Sequence, residues 1–126
     1  MSSELNGADT AYILICMGMV NLMTPGLAFF YGGLVRSSNV LTIMAQNYAS
    51  MGLITLIWVA WGYSLCFGES QGDFIGSPST YYFLENANNN SPAGTIPGLV
   101  FCGFQGMFAV IAPALMTGAF ADRVNF

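Results

Sequence analysis

The sequence predicts an all-α membrane protein with three transmembrane helices, on three observations. Residues 10–35 and 37–68 carry no charged side chain, and only Arg36 separates them. A third uncharged stretch, residues 86–121, opens on polar Asn, Ser and Pro and turns strongly apolar from Leu99 onward. Charged residues make up 6% of the chain, against about a quarter in a soluble domain. An apolar run of about 18 residues or more crosses a hydrocarbon layer of about 30 Å as a helix. Three helices are therefore expected, over residues 11–34, 39–67 and 99–120.

The first run follows a segment, residues 1–9, that holds two acids and no base. A cleavable secretory signal opens on a basic region, so this run reads as a retained span. Pro25 lies inside the first helix and Pro113 inside the third. Each removes an amide donor and is expected to bend its helix, which lipid tolerates where neighbouring helices satisfy the freed carbonyls. The connection Val35-Arg36-Ser37-Ser38 is a tight turn, so the first two helices pack antiparallel. At about 1.5 Å per residue the second helix is roughly 40 Å or more long, and must tilt, kink or protrude. Residues 69–96 form a polar loop containing Gly72, Gly76, Pro78, Asn86 and Asn88-Asn89-Asn90. Asn89-Asn90-Ser91 is formally a glycosylation sequon, followed by Pro92.

Charge sets the orientation. The two cations, Arg36 and Arg123, fall on one side of a three-span chain, and positive-inside bias makes that side cytoplasmic. The N-terminus and the long loop are then outside, with Glu4, Asp9, Glu69, Asp73 and Glu85. Two cations without a cluster exclude a nucleic-acid surface, which needs basic side chains to displace counterions. With no histidine and no Cys-x-x-Cys, the three cysteines Cys16, Cys66 and Cys102 read as buried small hydrophobes rather than a zinc or redox site.

Inside the apolar runs the polar side chains are Asn21, Thr24, Thr42, Gln46, Asn47, Ser50, Thr55, Ser64, Gln105 and Thr117, with tyrosines. None ionises near neutral pH, so acid–base or triad catalysis has nothing to work with and no enzyme is expected. Their expected work is hydrogen bonding between helices, each bond worth on the order of 1 kcal/mol. The aromatics suggest more. Phe104 and Phe108, four apart, share a helix face, and Leu115 lies two turns further along it. Leu27 and Tyr31 form a similar pair on the first helix, with Phe30 beside them. Such a face attracts a small cation through the ring quadrupole, or forms a dry constriction that blocks hydrated ions. It can equally face lipid or pack.

Thr24-Pro25-Gly26-Leu27-Ala28-Phe29-Phe30-Tyr31-Gly32-Gly33-Leu34-Val35-Arg36, followed by Asn39-Val40-Leu41, resembles the first-helix signature of the ammonium transporter family (Amt/Mep, related to the Rh proteins). Trp58-Val59-Ala60-Trp61-Gly62-Tyr63-Ser64-Leu65-Cys66-Phe67-Gly68 resembles the end of that family's second helix. Phe104-Gln105-Gly106-Met107-Phe108-Ala109, with Pro113-Ala114-Leu115-Met116-Thr117-Gly118-Ala119-Phe120-Ala121-Asp122-Arg123, is similar to its third. The motifs stand in family order and spacing over nearly the whole chain. The resemblance implies an external N-terminus, a plasma-membrane location, no cofactor, and a homotrimer for the full-length protein. It implies that ammonium is captured in an outer aromatic vestibule and deprotonated, and that ammonia crosses an apolar pore. Phe108 then matches the outer gate and Phe104 its vestibule neighbour. Leu27, Phe30, Tyr31 and Leu115 match pore-lining positions, and Gln105 is assigned to helix contacts.

Family members have about eleven spanning helices, and their pore histidines, vestibule tryptophan and serine, and recruiting acid come from later helices than these three. The chain is accordingly expected to be the N-terminal portion of an ammonium-transporter-like bundle, residues 1–126 of it. Two alternatives belong to other classes: an ammonium sensor, and a non-transporting membrane interaction subunit. The pairs Ala45/Ala49 and Ala114/Gly118 have the spacing for close helix approach that the last would use.

Overall fold

The computed structural model describes residues 4–87, 93–121 and 123. The sequon Asn89-Asn90-Ser91 and Asp122 of the third motif lie outside the described residues. Helix α1 spans Gly7–Leu34, begins earlier than its charge-free stretch, and runs on through Pro25. The reason is a cap. The Asn6 Oδ1 accepts from the amides of Ala8 at 2.9 Å and Asp9 at 3.4 Å, and the Thr10 hydroxyl donates to the Asn6 carbonyl at 2.8 Å. Asp9 in the first turn also suits the positive end of the helix. An acid marked the edge of the apolar run but not the edge of the helix.

After a short turn through Arg36 and the 3₁₀ turn Ser37–Asn39, helix α2 covers Val40–Ile57. It passes into a π-helical turn, Trp58–Gly62, and then into α3, Tyr63–Phe67. Together they make a continuous span, Ser37–Phe67, of 31 residues. At 1.5 Å per residue this is about 46 Å, well beyond a hydrocarbon core of about 30 Å. Within the π turn the Tyr63 amide donates to the Trp58 carbonyl, a five-residue step that re-phases everything after it. Glycine suits the turn at Gly62, where a Cβ would stand 3.2 Å from the Ile57 carbonyl.

The polar loop is more ordered than its composition suggests. Strands β1 (Ser70–Gln71) and β2 (Ile75–Gly76) pair antiparallel, with Ser70 opposite Gly76. A 3₁₀ turn, Tyr82–Leu84, follows, and Ala93 bridges to Ile96. Ser64, fully buried, pins this loop onto α3: its hydroxyl donates to the Ser77 carbonyl at 2.6 Å and accepts from the Tyr81 amide at 3.0 Å. Gly76 is required there, because a Cβ would lie 2.6 Å from the carbonyl oxygens of Ser64 and Leu65.

Helix α4, Gly98–Phe120, runs through Pro113 and packs on both α1 and α2, which also pack on each other. The contact faces are rows of small residues at four-residue spacing. On α1 these are Val20, Thr24, Ala28 and Gly32; on α4 they are Cys102, Gly106, Val110 and Ala114. Such rows let helix backbones approach without a water-driven hydrophobic effect. Most remaining apolar side chains, Leu22, Leu41 and Leu56 among them, are exposed on the outside of the three-helix unit. All three spans meet the length and composition needed to cross a bilayer.

Two expectations need correcting. Only Cys102 of the three free cysteines is buried; Cys16 is half-buried and Cys66 exposed. The polar side chains of the spans bond mainly within their own helices. Ser50 donates to Asn47, Thr55 to Met51 and Thr117 to Ala114, each at a carbonyl three or four residues back. A short hydroxyl reaches that carbonyl sooner than a neighbouring helix. Asn47 also reaches another helix, its amide donating to the Ile43 carbonyl at 2.8 Å and the Thr117 hydroxyl at 3.5 Å, and Ser64 bonds to the loop instead.

Candidate aromatic site on α4

The pair Phe104 and Phe108 is formed as the spacing predicts. Their centroids are 5.1 Å apart and their planes nearly perpendicular, an edge-to-face contact. Phe104 is half-buried, whereas Phe108 is 42% exposed. Phe108 and Leu115, also exposed, lie on the side of α4 away from its buried row of Cys102, Gly106, Val110 and Ala114. Two turns of helix, about 10 Å, separate Phe108 from Leu115.

The second group expected from the sequence sits lower on the same helix pair. The Tyr31 hydroxyl donates to the Leu115 carbonyl at 3.3 Å, joining α1 to α4. Its ring fills the place a side chain at Gly118 would need, since a Cβ there would lie 2.8 Å from Cε1. Phe30 meets Tyr31 edge-to-face at 5.6 Å with its outer side exposed, and Leu27 is half-buried one turn earlier. Phe104 and Phe108 thus form one cluster, and Phe30, Tyr31 and Leu115 another, on a common pair of helices. Of the close-approach pairs, Ala114/Gly118 serves α1 packing, while Ala45 and Ala49 face outward.

A known family covers most of this chain's sequence. The profile of the Ammonium Transporter Family matches residues 11–126. The chain belongs to the ammonium transporter family. An ammonium transporter of Mycobacterium tuberculosis (strain ATCC 25618 / H37Rv) is 44% identical over 96% of this chain and 29% of its own length. Ammonium transporter 1 of Schizosaccharomyces pombe is 40% identical over 94% of this chain and 24% of its own. Among solved structures, a double mutant of Candida albicans Mep2 superposes with a TM-score of 0.86 at 30% identity, over 98% of this chain and 28% of that one. Saccharomyces cerevisiae Mep2 superposes at 0.82 with 28% identity, over 94% and 28%. This family member spans under a third of the length of those relatives, and it is an integral membrane protein with the family's all-helical fold.

Two features of this family member escaped the sequence reading. One is a packed aromatic cluster where α2, α3, α4 and the loop meet. Trp58 lies 5.8 Å from Tyr63 and 6.4 Å from Phe67; Tyr63 lies 5.2 Å from Tyr81, and Phe67 5.0 Å from Phe101. Trp58 also donates through Nε1 to the Cys102 carbonyl at 3.2 Å, and its indole occupies the space above Gly106. The other is a cleft of about 420 Å³ between the starts of α1 and α4, lined in part by Asp9, Tyr12, Phe104 and Gln105. Gln105 was assigned to helix contacts. It is half-buried, lines this cleft, and makes no hydrogen bond to another helix among the described residues.

Proposed function

We propose that this chain supplies the first part of an ammonium transport pathway. The supporting observation is the Phe104–Phe108 pair. It is an edge-to-face doublet with one ring open to the outside of the three-helix unit, at the motif positions that resemble the family's outer gate. A ring face in a desolvated vestibule attracts ammonium, and the same ring plugs the path against water. Leu27, Phe30, Tyr31 and Leu115 continue the apolar wall inward. The remaining wall and the proton-handling groups come from segments beyond these three helices. The complete protein works as a plasma-membrane homotrimer, with the acidic loop end outside and the arginine end in the cytoplasm.

The test is Phe108→Ala in the transporter that carries this segment. Tracer methylammonium uptake, normalised to surface protein, is expected to change in rate or selectivity by about tenfold or more, since both plug and cation–π surface go. Phe29→Ala, an exposed ring on α1 that contacts no other ring among the described residues, is expected to stay near wild type. Equal, near-wild-type flux and selectivity in both variants would return Phe108 to ordinary surface packing.

A further inference from the structure

A pocket of about 230 Å³ lies beneath the loop, where α3 and α4 meet it. Tyr63, Phe67 and Phe101 line it from the helices, and Tyr81, Ala87 and Ala93 from the loop. The loop wall is fixed by its own hydrogen bonds. The Tyr81 amide donates to the Ser64 hydroxyl, the Ala87 amide to the Leu84 carbonyl and the Ala93 amide to the Ile96 carbonyl, each at 3.0 Å. Between Tyr81 and Ala87 two bulky residues take left-handed backbone values, Phe83 at φ +47° and Leu84 at φ +61°. Such a conformation persists only where the surroundings over-determine it. The group left unexplained is a phenol. Tyr63 is 5% exposed, and its ring stands 5.2 Å from Tyr81, 5.3 Å from Phe67 and 5.8 Å from Trp58. Its hydroxyl nevertheless makes no hydrogen bond among the described residues, and neither does the hydroxyl of Tyr81. A buried phenol ordinarily finds a partner.

We propose that this pocket binds a small uncharged molecule with a flat apolar body and one hydrogen-bond acceptor, such as an aromatic alcohol. The lining holds four aromatic rings and no charged side chain. Three neighbouring rings crowd Tyr63, so its faces are taken and its hydroxyl is what remains to be used. A hydroxyl hydrogen and ring edges are the positive parts of a phenol, and they draw an acceptor oxygen rather than a cation. Two such hydroxyls on one pocket supply two donors to a single oxygen. Size narrows the class further. The volume exceeds the roughly 150 Å³ of an apolar cavity that takes benzene. It falls short of the roughly 300 Å³ at which pockets for drug-sized ligands begin. One substituted ring fits. The site touches Phe101 and neither Phe104 nor Phe108, so it stands apart from the transport reading and does not depend on it.

The experiment compares two probes that share a ring and differ in the acceptor, 4-fluorobenzyl alcohol and 4-fluorotoluene. Each is titrated into the purified, detergent-solubilised transporter that carries this segment. The readout is broadening of the probe's fluorine resonance, after subtraction of protein-free micelles. Wild type is expected to broaden both saturably and to bind the alcohol about fivefold more tightly, the worth of one hydrogen bond. Tyr63→Phe keeps the ring and drops the hydroxyl, and should lower that preference several-fold while leaving 4-fluorotoluene unchanged. Tyr81→Phe, at a half-buried loop position, repeats the comparison outside the helix core. Because the preference is a ratio within one protein, a general loss of structure does not mimic its selective fall. Ala93→Leu fills the pocket from the loop side and should abolish saturable broadening by both probes. Broadening in Ala93→Leu equal to wild type would assign the signal to the micelle and overturn the proposal. So would the absence of saturable broadening in wild type, or an unchanged preference in both tyrosine variants.

Discussion

Two aromatic groups share helix α4 and differ in every property that bears on function. Phe101 is locked into the cluster of Trp58, Tyr63, Phe67 and Tyr81, whose successive rings contact one another beneath the loop. Phe104 and Phe108, only one and two turns further along, contact each other, and Phe108 stays 42% exposed. The residue types are the same. What separates them is the partner surface: the first group meets two helices and a loop, whereas the second meets one ring and open space. A packed ring lends its face to neighbours and can offer little to a cation, while an open one can. Aromatic content alone therefore does not mark a site.

The comparison breaks first at Trp58. Trp58→Ala removes the indole over Gly106, the bond to the Cys102 carbonyl and two ring contacts, at a cost of about 3 kcal/mol. Thermal unfolding of the detergent-solubilised protein should show that drop. The same assay on Phe108→Ala should show less than about 1 kcal/mol, because a half-exposed ring leaves no closed cavity. Equal losses would erase the distinction between packed and open rings.

Ser64→Ala sharpens the packed side. It leaves the Tyr81 amide and the Ser77 carbonyl without their partner in a buried place, worth about 1–3 kcal/mol. Amide hydrogen exchange over residues 77–81 should accelerate while the spans stay protected. The smallest effect is expected at Tyr31→Phe. It deletes one hydrogen bond to the Leu115 carbonyl but keeps the ring over Gly118, costing about 0.6 kcal/mol. A larger loss in the unfolding midpoint would make the hydroxyl, rather than ring packing, the tie between α1 and α4.

Which parts of this were legible in the chain follows from the range of the interactions involved. The spans were legible because a bilayer imposes a length and an apolar content that can be counted along the sequence. The Phe104–Phe108 doublet was legible because four residues make one helical turn. The start of α1 was misread, since the Asn6 cap outweighed the acid at Asp9 as a boundary signal. Residues 39–67 read as one long helix that must tilt, kink or protrude, but nothing in the chain placed the π turn at Trp58–Gly62. The loop looked merely polar because its anchor, Ser64, was counted among the residues expected to bond between helices.

The sequence by itself determined that this protein lives in a membrane, how many times the described chain is able to cross it, and to which family it belongs. The first two depend on composition and length along the chain, and the family on motifs in a set order, none of which needs knowledge of what lies across the bundle. Only the tertiary structure decided which rings are packed and which are open, and that Asp9, Thr95, Phe104 and Gln105 surround one space. Those outcomes depend on which small residues let helices approach and where the loop folds back. Contacts between residues dozens of positions apart leave no periodic trace in the chain.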